Sequence, residues 1–147
     1  MQITRYTDYS LRVLIYLAIN KQQLTTISDI ATSYQISKNH LMKIVQQLNQ
    51  QSYVLATRGK NGGIKLNRDA KEINVGALVR EIEDKSKLIE CFGAENKCVI
   101  TPSCQLKNIF AEAQENFFKT LDAYTLQDLI GEQEEAALTN LLAINLL

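Results

Sequence analysis

The chain has 147 residues, enough for one domain, or one domain plus an extension, with a real core. Hydrophobic residues make up 46% of it, and a single proline with six glycines points to a helix-rich protein. Its net charge of zero hides an asymmetry: residues 1–70 hold nine Lys/Arg against three Asp/Glu, and residues 71–147 hold seven against thirteen. A basic half joined to an acidic half suggests a polyanion-binding module followed by a non-binding one, with ordinary charge scatter as the plain alternative. No apolar run reaches the roughly 18 residues that span a bilayer, so no membrane partner is expected. Arg5, Asp8 and Arg12 break the apolar N-terminus, which argues against a signal peptide. A cytoplasmic protein is expected.

In chain order, Leu11, Leu14, Ile15, Ala18 and Ile19 recur at helical spacing and predict a helix over 7–19, with Thr7 or Asp8 as N-cap. Thr26-Ile27-Ser28-Asp29 fits a capping box and opens a second helix. After a short break, Ser37 can cap a third, whose inward stripe is Leu41, Ile44, Val45 and Leu48. Strand candidates follow at 53–57 and 64–66, joined by Gly59-Lys60-Asn61-Gly62-Gly63. Helix, turn, helix and a glycine-tipped basic hairpin are the order of a winged helix-turn-helix. A further helix is predicted over 75–89, with Val75, Leu78, Val79 and Ile82 inward and Glu81, Glu83 and Asp84 among its polar residues.

A long helix is then predicted from about Pro102 to Tyr124. Leu106, Ile109, Phe110, Ala113, Phe117, Leu121 and Tyr124 give it an apolar stripe longer than a small domain easily covers. A dimerisation helix packing on its partner is the functional reading, and packing on its own domain the plain one. The tail, 126–147, reads as one or two short helices. The expected architecture is mainly α: a winged helix-turn-helix DNA-binding domain over 1–74, then a cluster-binding loop and dimerisation helices over 75–147.

With the third helix's stripe inward, Asn39, Lys43, Gln46 and Gln50 point away, and Lys38 and Met42 flank them. Helix-turn-helix proteins insert the N-terminal part of this helix into the major groove. Asn can read adenine and Lys can read guanine or hold phosphate, so Asn39 and Lys43 lead the candidates, with Ser37 and Lys38 near the backbone. His40, the only histidine, could touch phosphate, although a surface or partly packed ring is the more ordinary role. In the wing, Gly62 and Gly63 permit a tight turn, Arg58 could enter a narrow minor groove, and Lys60 and Asn61 stand at the tip. A plain hairpin is the alternative.

Cys91, Cys98 and Cys104 are the only cysteines and lie within fourteen residues. The spacing is not the paired pattern of a zinc ribbon but suits a loop that wraps a cluster. Thr101 as N-cap and Pro102 as first residue would put Cys104 in a helix's first turn, where the helix dipole favours thiolate. Three thiols leave a gap, since cysteine-ligated clusters take four protein ligands. A carboxylate, another oxygen donor or a small molecule would have to fill it. Zinc, a regulatory disulfide and inert buried thiols remain alternatives. An enzyme is not expected: no Cys–His nucleophile pair, phosphate loop or dinucleotide fingerprint is present.

These segments together resemble the NsrR/IscR/CymR family of bacterial regulators, and within it the nitric-oxide-sensing repressors. The likeness is carried by Thr7-Asp8-Tyr9, Leu11-Arg12 and Leu14-Ile15-Tyr16. It continues through Asn39-His40, Lys43-Ile44, the wing from Arg58 to Ile64, Val79 to Glu83, and Cys98 to Lys107. It covers roughly residues 1–130. The resemblance implies a homodimer with one iron–sulfur cluster, 2Fe–2S or 4Fe–4S, per subunit, ligated by Cys91, Cys98 and Cys104. It implies that Asp8 of the partner subunit completes the coordination; a helix cap is the plainer role for Asp8, and the two are not exclusive. The IscR relatives instead carry a histidine three residues after the last cysteine, where this chain has Lys107. The implied mechanism is repression at an A/T-rich double-stranded operator, relieved when nitric oxide nitrosylates the cluster, so that nitric-oxide-detoxification genes are expressed. A thiol-redox or iron–sulfur-status regulator of the same fold, or a cluster-free partner-binding regulator, is the alternative.

Overall fold

The computed structural model describes residues 2–84 and 86–146. Helix α1, Arg5–Ile19, begins two residues before the expected start. Thr4, not Thr7 or Asp8, is its N-cap, and the Thr4 hydroxyl accepts from Thr7 N at 3.3 Å. Asp8 is therefore free of the capping role the sequence allowed it. Helix α2, Ile27–Tyr34, opens on the expected box: Thr26 Oγ1 accepts from Asp29 N at 3.1 Å, and Asp29 Oδ2 accepts from Thr26 N at 2.9 Å. It ends at Gln35, in the left-handed region at φ 54°. Helix α3, Lys38–Gln50, buries Leu41, Ile44, Val45 and Leu48, the stripe read from its spacing. Ser37 stands at its N-cap position without a side-chain capping bond.

Strands β1, Val54–Thr57, and β2, Gly63–Leu66, pair antiparallel, Val54 opposite Leu66 and Thr57 opposite Gly63. A third member was not legible in the sequence. Thr25 bridges Ile64, donating to its carbonyl at 3.0 Å and accepting from its N–H at 2.7 Å. One residue has no periodicity to detect, yet this bridge fastens the wing to the segment that opens α2.

Helix α4, Val75–Glu83, is capped by Asn74 and stops short of the expected residue 89. After the cysteine loop and a 3-10 turn at Thr101–Ser103, α5 runs Gln105–Asp122. The return contains a 3-10 turn, Leu126–Ile130, and α6, Glu132–Leu141.

Helix α1 is the centre of the core, with Val13 and Leu14 fully buried and Leu17 nearly so. The same core takes Leu126 and Ile130 from the acidic half, then Leu142 and Ile144 from the C-terminal end. Core residues therefore come from both sides of the expected boundary at 74. Helices α4 and α5 close on Gly76, where a Cβ would stand 1.9 Å from Asp122 Oδ1. Beside it Arg80 bonds Asp122 at 2.7 Å and lies 4.3 Å from the Phe118 ring centroid. No residue of α5 is buried, and Leu106 and Ile109 are 56% and 60% exposed. Ala113 and Tyr124 are exposed as well, while Phe110, Phe117 and Leu121 are half-buried, so one chain covers the long stripe only in part.

Candidate nucleic-acid interface and thiol loop

The N-terminal half of α3 presents a polar, cationic face. Ser37, Lys38, Asn39, Met42 and Lys43 are exposed, while Leu41 and Ile44 anchor the helix beneath them. Lys38, Lys43, Arg58 and Lys60 enter no ion pair among the described residues. Their charges are open to an anion.

The wing places Arg58, Gly59, Lys60 and Asn61 at an exposed tip. The reason for glycine at 62 is steric: a Cβ there would lie 2.2 Å from the Thr57 carbonyl oxygen. At Gly63 a Cβ would meet the Leu24 side chain at 2.9 Å and the Thr25 carbonyl at 3.0 Å, where the bridge closes. The residue with positive φ is Gly59, at 108°, which the sequence reading did not single out. Gly62 N donates to Gly59 O at 3.0 Å and closes the turn.

His40 is half-buried, not free. Its ring lies 5.1 Å from that of Tyr9 and 6.3 Å from that of Tyr6, so it packs α3 against the first turns of α1. Asp8 is on the same stretch of α1. Arg12 grips it with two bonds, Nε to Oδ1 at 3.0 Å and NH2 to Oδ2 at 2.8 Å. The guanidinium also lies 5.3 Å from the Tyr9 ring and 5.9 Å from that of Tyr34. Burial pushes the Tyr34 phenol up to about 12, against the pull of Arg12. Asp8 stays 45% exposed and can still present an oxygen outward.

All three cysteines are free; Cys98 is exposed, and Cys91 and Cys104 are half-buried. Cys104 is the N-cap residue of α5 and not in its first turn, because Thr101-Pro102-Ser103 wind a separate 3-10 turn ahead of it. Cys104 makes no side-chain capping bond to α5, and among the described residues no other side chain bonds the first amides of the helix. The loop is held by its own polar groups. Lys97 N donates to Glu90 Oε1 at 2.9 Å, Cys98 N to Asn96 Oδ1 at 3.0 Å, and Thr101 Oγ1 to Cys98 O at 2.8 Å. Among the described residues no three of His, Cys, Asp and Glu stand close enough together to hold a metal ion. The donors thus suit a cluster in kind, three free thiols on one exposed loop, while the loop does not gather them.

A buried carboxylate joins this region to α1. Glu83, grouped with the polar residues in the sequence, is only 8% exposed. It accepts from Thr4 N at 2.9 Å, from Thr4 Oγ1 at 2.7 Å and from the buried Thr7 hydroxyl. Burial alone would raise its pKa; the Thr7 and Thr4 bonds outweigh that and hold it below the ordinary carboxylate range. Nothing in the spacing marks a lone Glu at a helix end as buried.

The model of the Rrf2 iron-dependent transcriptional regulators matches residues 3–132. The chain belongs to the Rrf2 family. It is 49% identical over 136 residues to the HTH-type transcriptional regulator NsrR of Bacillus licheniformis, covering 91% of this chain and 95% of that one. Against the NsrR of Bacillus subtilis it is 49% identical over 137 residues, 92% and 94% of the two chains. Among solved structures, T. potens IscR superposes with TM-score 0.71 at 23% identity, over 92% of this chain and 90% of the other. CymR, the global cysteine regulator of B. subtilis, superposes with TM-score 0.68 at 24% identity, over 88% and 95%. These two likenesses carry the winged-helix fold. The chain is a DNA-binding transcriptional regulator of the NsrR type and not an enzyme. No helix among the described residues is long and apolar enough to cross a membrane.

Proposed function

We propose that this Rrf2 regulator is a homodimeric repressor whose DNA affinity is set by an iron–sulfur cluster on Cys91, Cys98 and Cys104 and is lost on exposure to nitric oxide. The observation that carries the reading is the pairing, in one chain, of an unpaired cationic winged-helix face with three free thiols in an exposed loop. The NsrR relatives at 49% identity support the nitric-oxide branch.

DNA would meet the N-terminal half of α3 first. Asn39 suits an adenine edge and Lys43 a guanine or a phosphate, while Ser37 and Lys38 suit the sugar–phosphate backbone. Met42 offers an apolar contact, and His40, packed on Tyr9, is left a supporting place. Arg58, Lys60, Asn61, Gly62 and Gly63 would carry the wing to the backbone or minor groove. The exposed stripe on α5 suits a second copy of the chain, which would set two α3 helices at the spacing of an operator's half-sites.

The bound cluster would supply iron accessible to nitric oxide. Cys104, at the start of α5, is where the helix dipole favours a thiolate. Asp8 of the partner subunit would complete the coordination, and the Arg12 fork orients its carboxylate. A change in the loop would then reach α1, which packs on α3 through Tyr9 and His40. Replacing Cys98 by alanine tests the reading. Visible absorbance and operator binding are expected to vanish together, and tight operator binding by colourless Cys98→Ala protein would contradict it.

A further inference from the structure

One carboxylate oxygen at the end of α4 bonds the start of α1. Glu83 is the last residue of α4, and its Oε1 accepts from Thr4 N at 2.9 Å, Thr4 Oγ1 at 2.7 Å and Thr7 Oγ1. Ser86 N donates to the Glu83 carbonyl at 2.7 Å and closes the turn that follows. Thr7 is fully buried, so its hydroxyl has no water to turn to if this carboxylate leaves. Thr4 has two duties: it donates to Glu83 while its hydroxyl accepts from Thr7 N as the cap of α1. Loosening Glu83 therefore loosens the cap as well.

The two sides of this contact lead to different places. On one side, the first turns of α1 carry Asp8, whose carboxylate Arg12 holds, and Tyr9, whose ring meets His40 on the reading helix α3. On the other side, the chain leaves α4 at Glu83 and reaches Cys91 within eight residues. Among the described residues, no other charged side chain bonds the first turn of α1 to a distant part of the chain.

We infer that Glu83 is a positioning residue: its bonds to Thr4 and Thr7 register the thiol loop against the first turn of α1, and so pass the state of the loop to the DNA-reading helix. The inference rests on the proposed sensing role of the loop. It assigns Glu83 no ligand role. A carboxylate that only filled its site would matter for stability alone. A link between two segments also transmits a disturbance from either side to the other.

The test uses Glu83→Ala, the near-isosteric Thr7→Val and the conservative Glu83→Gln in the full chain. Amide hydrogen exchange is read by mass spectrometry on cluster-free protein. Thr7→Val is expected to raise exchange over 86–93, across the contact, and Glu83→Ala to raise it over 5–9. Effects confined to the mutated element would overturn the inference. In cluster-loaded protein, the ratio of operator affinities before and after nitric oxide is measured. Glu83→Ala and Thr7→Val are each expected to cut it about fivefold or more, the double variant no further than either. Glu83→Gln, which keeps an acceptor oxygen, is expected to retain most of it. An unchanged ratio with affinity lowered equally in both states would show a structural role only. Wild-type protein whose operator affinity ignores nitric oxide would contradict the sensor reading, and the exchange data would still decide the link.

Discussion

Replacing Gly62 by alanine separates the wing's role on DNA from its role in the fold. The added Cβ would lie 2.2 Å from Thr57 O, 2.9 Å from the Arg58 carbonyl carbon and 3.0 Å from Gly59 O. All three are backbone atoms, so no side chain can swing aside. The turn must open, and the Gly62 N to Gly59 O bond must break. Overpacking of this size costs about 1–3 kcal/mol, yet the residues from Arg58 to Asn61 are all exposed, so the strain can be released locally. The thermal midpoint is expected to fall by no more than about 4 °C. Operator binding should change far more. Each wing carries Arg58 and Lys60, and a dimer would present two wings. Losing those phosphate contacts would make the slope of log affinity against log salt shallower by about three to four. Fluorescence anisotropy with a labelled operator, titrated between about 50 and 200 mM salt, reads this directly. The double variant Arg58→Ala/Lys60→Ala should reproduce the shallower slope at full stability. An unchanged slope in both proteins would take the wing off the DNA, and a Gly62→Ala midpoint lower by tens of degrees would place it in the core.

The other expectations concern the fold that carries the site. The folded-state pKa of Glu83 is depressed, so its bonds stabilise the native state above the unfolded carboxyl value and lose that contribution as pH falls through the folded value. Chemical denaturation should show wild-type stability dropping below about pH 4–5 more steeply than that of Glu83→Gln; parallel curves would contradict the assignment. Gly76→Ala should destabilise by about 1–3 kcal/mol, since its Cβ meets both the Asp122 side chain and, at 2.7 Å, the Asp122 backbone nitrogen. The Arg80–Asp122 pair is partly exposed, and Asp122→Asn should cost less than about 1 kcal/mol. Ile144→Ala should cost about 2–4 kcal/mol by urea unfolding, because the side chain is 7% exposed in the shared core; a loss under half a kcal/mol would mean the C-terminal end does not pack there.

Much of the architecture was legible because it repeats. The α3 stripe of Leu41, Ile44, Val45 and Leu48 and the Thr26–Asp29 box are periodic or motif-like, and both stand where the spacing put them. The glycine-rich wing was legible because Gly62 and Gly63 mark close backbone approach. Features made by single residues across long separations were not. Thr4 caps α1 through a hydroxyl shared with Glu83, seventy-nine residues away. Thr25 joins the sheet alone. The helix expected over 75–89 stops at Glu83, where the chain turns and Ser86 N donates to the Glu83 carbonyl at 2.7 Å. The thiol loop is the converse case. Its residue types were evident, while the arrangement that would gather Cys91, Cys98 and Cys104 is not fixed by contacts among the described residues of the chain.

The most direct test of the proposed function is a titration of anaerobically purified protein with nitric oxide, recording the visible spectrum and operator binding in the same samples. Coloured protein whose visible bands change as it releases the operator, both in step with added nitric oxide, is the expected result. Colourless protein that holds the operator tightly with or without nitric oxide would contradict the cluster-based sensor.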